Sequence, residues 1–430
     1  MDSTADSTAL LTDHYELTML QAALKAGTAE RRGVFELFPR RLAGGRRYGV
    51  VAGVGRALDA IEAFRFGPEQ LAVLEGVVDG PTLEWLAGYR FTGDVWGYAE
   101  GETFFPQSPL LVVEASFAEA VVLETVLLSI YNHDSAIATA ASRMTLAAGD
   151  RPCIEMGSRR THEAAAVAAA RAAYVAGFSA TSNLAARELF GVPTTGTSAH
   201  AFTLLHDTEE QAFRAQVASL GKGTTLLVDT YDITEAVTKA VEIAGSELGA
   251  VRIDSGDLGL LAHDVRRQLD DLGATETKII VTSDLDEYAI AGLGASPVDG
   301  YGVGTQLVTG SGHPTAGFVY KLVAREGASG DLEPVAKKSA AKASIGGRKY
   351  ALRRRNQADV ADAEVIGIGT PPQGDGNDRP LLTQLVKGGE IVGREPLDAA
   401  RERHRASVAE LPVIAHSLLK GDPAISTLFQ

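Results

Sequence analysis

The sequence predicts an α/β protein: a parallel barrel, complete or incomplete, accompanied by a region of mixed strands and helices. Three observations predict it. From about residue 151, short apolar runs ending in polar residues alternate with alanine-rich helical segments, as parallel strands joined by right-handed crossovers do. There are about seven such runs, which favours a barrel or an incomplete one over an open sheet. Before that point strands and helices mix between turn signals, the pattern of an α+β region.

In chain order, residues 1–9 are rich in Ser, Thr and Asp and have neither the basic start nor the apolar centre of a signal peptide. Residues 12–26 read as a helix. Asp13 is its cap, Glu16 stands three residues on, Leu17, Leu20 and Leu24 share a face, and Gly27 ends it. Strands are expected at 34–38, 90–99 and 110–113, with helices around 53–65 and 117–129. The most apolar stretch, 109–131, is interrupted by Glu114, Glu119 and Glu124, so no membrane span is expected there. The barrel runs are 153–156, 176–180, 192–195, 225–228, 250–253, 278–281 and 298–303, with helices at 163–176 and 235–245 among the segments between them. Residues 326–350 set Lys337, Lys338, Lys342, Arg348 and Lys349 among Ser and Gly, and 369–379 read as a loop. Residues 380–430 hold a strand-like piece and a helix around 397–410 that returns onto the N-terminal region. The expected domains are therefore 1–130, with part of 350–430 packed on it, a barrel over 131–350, and a C-terminal segment over 351–430.

Composition narrows the function. The 430 residues are 45% hydrophobic and 22% charged, ordinary globular values that exclude disorder, collagen and coiled coil as whole-chain readings. With 40 Lys and Arg against 55 Asp and Glu, the net charge is −15, unsuited to nucleic acid or anionic membranes. Positive charge for a phosphorylated ligand must then be local. The single Cys153 excludes an intramolecular disulfide and a cysteine zinc cluster, and suits a reducing cytoplasm.

The chemistry sits after the apolar runs. These lead into Gly157-Ser158-Arg159-Arg160, Gly196-Thr197-Ser198-Ala199-His200, Asp229-Thr230-Tyr231-Asp232, Asp254-Ser255-Gly256-Asp257, Thr282-Ser283-Asp284 and Gly302-Val303-Gly304-Thr305. A parallel barrel delivers all these strand ends to one face. Each cluster alone has a bland reading, because strand ends need turn formers. Six in succession, with arginines and a histidine among them, point to a site. Arg159, Arg160 and Arg252 suit bidentate phosphate binding. Gly302, Gly304 and Thr305 form a glycine turn with free amides. Asp229, Asp254 and Asp284 are hard oxygen ligands for ribose hydroxyls or for magnesium on a pyrophosphate. No Walker motif is present, since Gly221-Lys222-Gly223-Thr224 lacks the preceding glycine. His200, following Gly196-Thr197 with strand-end aspartates nearby, is a candidate nucleophile or acid–base. His14, His133, His162, His206, His263, His313, His404 and His416 read as packed or exposed without function, and no pair has zinc-helix spacing.

Taken together, Asp13-x-Tyr15-x-x-Thr18-Met19, Glu155-Met156-Gly157-Ser158-Arg159-Arg160, Gly196-Thr197-Ser198-Ala199-His200, Asp229-Thr230-Tyr231-Asp232, Arg252-Ile253-Asp254-Ser255-Gly256-Asp257, Ser283-Asp284-Leu285-Asp286-Glu287 and Tyr301-Gly302-Val303-Gly304-Thr305 closely resemble nicotinate phosphoribosyltransferase, from about residue 10 to 350 and more loosely in the tail. The resemblance implies an irregular α/β barrel with a smaller α+β domain built from both chain ends, working as a cytoplasmic homodimer with shared sites. It implies that nicotinate and phosphoribosyl pyrophosphate give nicotinate mononucleotide and pyrophosphate, a step of NAD biosynthesis or salvage. ATP is the implied co-substrate, with Mg2+ and without a tightly bound organic cofactor. Carried over by motif, His200 looks like a phosphorylated histidine and Asp229 like its orienting carboxylate. Arg252 and Asp254 look like contacts to base and ribose. Asp284 would lie near the ribose or the magnesium-bound pyrophosphate, so Asp229 and Asp284 are the implied metal contacts. Gly302, Gly304 and Thr305 look like the 5′-phosphate cradle, with Thr197, Ser255 and Arg160 as further substrate contacts. Tyr15, stacking on the pyridine ring, and Arg159 would complete the site across the dimer interface. Family members often carry an aromatic residue where this chain has Met156. Nicotinamide-using relatives place an aspartate near 181–183, where this chain has Ser182, which suits the acid. The competing readings are a nicotinamide or quinolinate phosphoribosyltransferase and a non-catalytic barrel that binds a phosphoribosyl metabolite.

Overall fold

The computed structural model describes residues 7–337 and 344–430; residues 1–6, Lys338 and Lys342 lie outside them. The chain packs as two units, 1–139 with 313–430 and 140–312. The unit built from both chain ends is thus the larger, not the smaller domain expected. Much of the difference is the segment after the last barrel strand, expected in the barrel. Its strand Phe318–Glu326 instead pairs antiparallel with Arg32–Pro39.

The two-ended unit is organised around a seven-stranded antiparallel sheet. In spatial order its strands are Leu332–Pro334, Phe318–Glu326, Arg32–Pro39, Leu111–Ser116, Asp94–Tyr98, Leu382–Lys387 and Glu390–Ile391. Phe35, Leu37, Val113 and Tyr320 bury one face of it with Leu17 and Leu20 of the helix His14–Lys25. That helix starts where the sequence places it, but Asp13 makes no capping bond. Glu16 turns inward instead, is buried, and accepts from the backbone N–H of Thr125 at 2.9 Å. The expected helix at 117–129 is two helices, Phe117–Val121 and Glu124–Ala148. A second sheet takes Arg379–Pro380, Lys349–Arg355, Ala361–Ile368 and Ser426–Phe429. At its centre Arg353 is fully buried and pairs with Glu364 at 3.0 Å and Glu410 at 2.9 Å. Breaking such a buried group by removing one partner typically costs about 3–5 kcal/mol.

The second unit carries six parallel strands: β1 (Cys153–Glu155), β2 (Ala180–Thr181), β3 (Thr225–Leu227), β4 (Ala250–Ile253), β5 (Lys278–Ser283) and β6 (Gly300–Val303), in the spatial order β2-β1-β6-β5-β4-β3. The expected run at 192–195 forms only an isolated parallel bridge between Thr194 and Thr181. Pro193 has no N–H to extend a ladder. The result is a curled half-barrel. Val251, Ile253, Ile279, Val281, Tyr301 and Val303 are buried, while Arg252 and Ile280 between them are only partly so, the alternation of strands with one face more fully packed. The helix Glu163–Val175 buries Ala166, Ala168, Ala169, Ala170, Ala172 and Ala173, small side chains that permit close backbone approach. All six strands bring their C-terminal ends to one rim.

Candidate active site

Four of the six rim segments divide their polar residues between two tasks. After β3, Asp232 caps the helix Ile233–Ala244 through the N–H of Glu235 at 2.9 Å. Asp229, three residues earlier, turns inward. After β4, Asp257 caps Leu258–Asp271 and leaves Asp254 to the cleft. After β5, Asp286 caps Glu287–Gly292 and leaves Asp284. After β2, Asn183 caps Leu184–Phe190 and leaves Ser182. In these four segments the capping residue and the candidate site residue are therefore different residues.

Of the residues left over, Asp254, Asp284 and Ser182 line one cleft of about 470 Å³, whereas Asp229 does not, nor does His200. Met156, Arg159, Arg160, Ser182, Thr197, Arg252, Asp254, Asp284, Gly302, Gly304 and Thr305 all line it, as do Ser158, Thr195, Ser198, Thr282 and Ser283. Gly302 is a requirement of shape. A Cβ there would stand 2.4 Å from Thr282 Cγ2 and 2.8 Å from Met156 Sδ. Glycine keeps that floor flat, with the Met156 thioether as part of the wall.

Arg252 projects from β4 into this space. Its Nη1 donates to Ser198 O at 3.2 Å and approaches Thr197 Oγ1 at 3.4 Å, while its buried Nε has no hydrogen-bond partner. Burial lowers its pKa, against the pull of Asp254 and Asp229 and with a push from Arg159. A half-buried guanidinium with unused donors suits an anion. Asp254 accepts from Thr282 Oγ1. Asp284 is exposed, with Thr305 Oγ1 3.5 Å away.

His200 opens the short helix His200–Leu204 beside the cleft. Its Nδ1 lies 3.1 Å from Thr230 Oγ1. Its Nε2 faces two carboxylates, Asp229 at 3.8 Å and Asp254 at 4.0 Å. Asp229 is next to the ring, then, but beyond hydrogen-bond reach. Its Oδ2 accepts from Asp254 N at 2.9 Å and Ser255 Oγ at 2.8 Å. Its Oδ1 is buried without a partner. Ser255 thus meets Asp229 and does not line the cleft. Among the described residues, no three acidic, histidine or cysteine side chains are grouped to hold a metal by themselves. Cys153 lies buried in β1, and burial pushes its thiol up to about 12, far from a nucleophile's range.

Tyr15 is not among the lining residues. It is exposed on the helix His14–Lys25 of the other unit, where partial burial and the neighbouring Glu124 raise its phenol pKa. Two contributors carry no role in the sequence reading. Thr230 is the direct partner of the His200 ring, a contact that spacing alone does not reveal. Glu155, fully buried, is masked as an ordinary strand-end residue.

The chain is similar to known proteins over nearly its whole length. The family model of the nicotinate phosphoribosyltransferase N-terminal domain matches residues 10–132. Nicotinate phosphoribosyltransferase pncB1 of Mycobacterium tuberculosis is 56% identical over 431 residues, covering 98% of this chain and 95% of the relative. The Bacillus subtilis nicotinate phosphoribosyltransferase is 39% identical over 368 residues, covering 82% and 74%. The crystal structure of human nicotinic acid phosphoribosyltransferase has the same fold, with a TM-score of 0.84 at 24% identity over 97% of both chains. Nicotinate-nucleotide pyrophosphorylase from Pyrococcus furiosus follows at 0.75 and 26%, covering 94% of this chain and 95% of that one.

Proposed function

Since this chain belongs to the nicotinate phosphoribosyltransferase family, we propose that it joins nicotinate to phosphoribosyl pyrophosphate, giving nicotinate mononucleotide and pyrophosphate. The observation that carries this reading is the convergence of three arginines, two aspartates and a glycine turn on one cleft at the strand ends. Nicotinate is a weak nucleophile through its ring nitrogen, and the anomeric carbon becomes oxocarbenium-like as pyrophosphate leaves. The protein's task is to hold the ring within near-attack distance and to neutralise the leaving group. Arg252 meets the nicotinate carboxylate or a phosphate, Asp254 the ribose hydroxyls, and Gly302, Gly304 and Thr305 the 5′-phosphate. Arg159 and Arg160 hold further phosphate oxygens. Ser182 leaves the base pocket free of a carboxylate that would repel nicotinate.

The reading includes coupling to ATP through a phosphohistidine at His200. ATP gives no atom to the product, so it acts by changing the protein's affinity for the pyrophosphoryl substrate. The carboxylates of Asp229 and Asp254 on the Nε2 side favour a proton there, which leaves the lone pair on Nδ1. The unpartnered, buried Asp229 Oδ1 is a hard oxygen donor that fits Mg2+. Asp229 and Asp284 would hold it. When bound, it supplies charge neutralisation for pyrophosphoryl oxygens. The remaining expectations stand with this proposal: a homodimer in which Tyr15 and Arg159 reach the neighbouring site, and a cytoplasmic place in NAD biosynthesis or salvage.

The test is transfer of radiolabelled nicotinate with phosphoribosyl pyrophosphate, with and without ATP, alongside γ-labelled ATP. The expected result is nicotinate mononucleotide, ATP stimulation, and an acid-labile label on the peptide containing His200. His200→Asn should lose the label and the stimulation but keep residual transfer. No transfer under either condition sinks the proposal, and full stimulation in the His200 variant sinks its phosphohistidine part.

A further inference from the structure

Glu155 is buried at the end of β1 and lines no part of the cleft, yet it braces two of its walls. One carboxylate oxygen accepts from the N–H of Gly157, and the other from Thr181 Oγ1. Thr181 Oγ1 in turn accepts from the N–H of Asn183 at 3.0 Å. The backbone carbonyl of Glu155 accepts from the N–H of Ser182 at 2.9 Å. Asn183 Nδ2 closes the ring by donating to Ser158 Oγ at 3.0 Å. The brace therefore fixes both sides of one corner: Met156 and Ser158 after β1, Ser182 after β2. All three line the cleft.

Nothing in this brace is spare. A Cβ at Gly157 would stand 2.3 Å from Val308 Cγ1 and 3.0 Å from both Glu155 Oε1 and Gly304 O, so the backbone passes the carboxylate as closely as a glycine permits. Among the described residues no cation pairs with Glu155, and burial raises its pKa. A buried carboxyl held only by neutral donors is costly for folding alone. Its bonds go instead to the backbone and hydroxyl groups that set where Ser182 and Met156 stand.

We propose that Glu155, acting through Thr181, is a positioning residue that sets selectivity for the pyridine base. This rests on the reading of the cleft as a nicotinate site. Loosening the Thr181 arm of the brace moves the wall that carries Ser182 and leaves in place the Glu155–Gly157 bond, beside which the glycine turn after β6 packs on the opposite side of β1. The base should then be held less well, and phosphoribosyl pyrophosphate almost as before.

The experiment compares Thr181→Val, Thr181→Ser and Glu155→Gln with the wild type, measuring kcat and KM for nicotinate, nicotinamide and phosphoribosyl pyrophosphate. Thr181→Val keeps shape and deletes both hydroxyl bonds. It should raise the nicotinate KM about tenfold, lower the nicotinate-to-nicotinamide ratio of kcat/KM about tenfold, and leave the phosphoribosyl pyrophosphate KM within about twofold. Thr181→Ser should restore all three, and Glu155→Gln should move them in the direction of Thr181→Val. An unchanged nicotinate KM and ratio in Thr181→Val overturns the proposal, as does an equal rise in both substrates' KM. If Thr181→Val does not fold, the same criteria apply to Glu155→Gln. A wild type that does not distinguish the two bases overturns the nicotinate reading itself, whereas a selective wild type with equally selective variants overturns only the role of Glu155.

Discussion

Replacing Arg252 by alanine removes the only guanidinium that, among the described residues, enters the cleft from a barrel strand, β4. Its Nη1 is engaged by Ser198 O and Thr197 Oγ1, while Nε is buried and unused. Three of its five donors, the Nε–H and the two on Nη2, are thus left, and an anionic substrate takes one or two of them. A hydrogen bond to a charged group contributes about 1.5–3 kcal/mol, so the loss should come to about 2–4 kcal/mol. At about 1.36 kcal/mol per tenfold, kcat/KM should fall by roughly two to three orders of magnitude. The substitution also removes the positive charge beside Asp254 and Asp229, which adds to the penalty for binding an anion there. Arg252→Lys keeps the charge and loses the planar fork, and should fall between wild type and alanine. Initial rates with each substrate varied in turn measure the effect, and a thermal melt of each variant separates it from unfolding. A loss below about fivefold in a folded Arg252→Ala protein would refute the assignment and leave Arg252 as a tie for the 197–198 loop.

Three further outcomes are expected. Ser182→Asp should shift base use from nicotinate towards nicotinamide, read as the ratio of kcat/KM for the two; an unchanged ratio would remove Ser182 from the base pocket. Gly302→Ala forces a methyl against Thr282 Cγ2 and Met156 Sδ, so stability should drop by about 1–3 kcal/mol and base binding should weaken more than a melt alone explains. Burial, with a smaller push from Arg401, holds the His404 imidazole down to about 4 from the ordinary 6.5. Between those values the unfolded chain binds the extra proton, so stability should be complete above pH 6.5 and fall as the pH drops towards 4. From pH 7 to pH 5 this contributes about 2 kcal/mol, and denaturant titrations of wild type and His404→Phe should differ in pH slope by that amount.

The barrel was legible because its parallel strands are short apolar runs that lead into polar residues, as in Cys153–Glu155, Ala250–Ile253 and Lys278–Ser283. The run at 192–195 is equally short, yet Pro193 cannot feed a ladder, and only one bridge formed. Asp13 shows the limit of local rules: it occupies a capping position, but tertiary packing draws on Glu16 instead. The cleft was legible residue by residue because strand ends in a parallel sheet share one rim. The sorting within each rim segment was less so. Asp229 and Asp232 are chemically identical, and only the helix that begins at Ile233 decides which of them caps. Thr230 and Glu155 were not legible, because their roles are contacts to residues about thirty positions away and, for Glu155, the apolar surroundings of a strand end.

The strand Arg32–Pro39 finds one of its two neighbours in Phe318–Glu326, nearly three hundred residues later. A ribosome makes the chain from its N-terminus, so the first 139 residues emerge with a sheet that cannot yet close. The half-barrel, contiguous over 140–312, has all its strands before the two-ended unit has its last. During that interval the edge of Arg32–Pro39 stands open, with Val34, Phe35, Leu37 and Phe38 still waiting for cover, and an open apolar edge invites the wrong partner. Nascent chains stalled when residues up to 312 have cleared the ribosome should therefore carry a protease-resistant barrel behind a protease-sensitive head. Release of the last hundred residues, rather than any step in the barrel, then sets when the protein is finished.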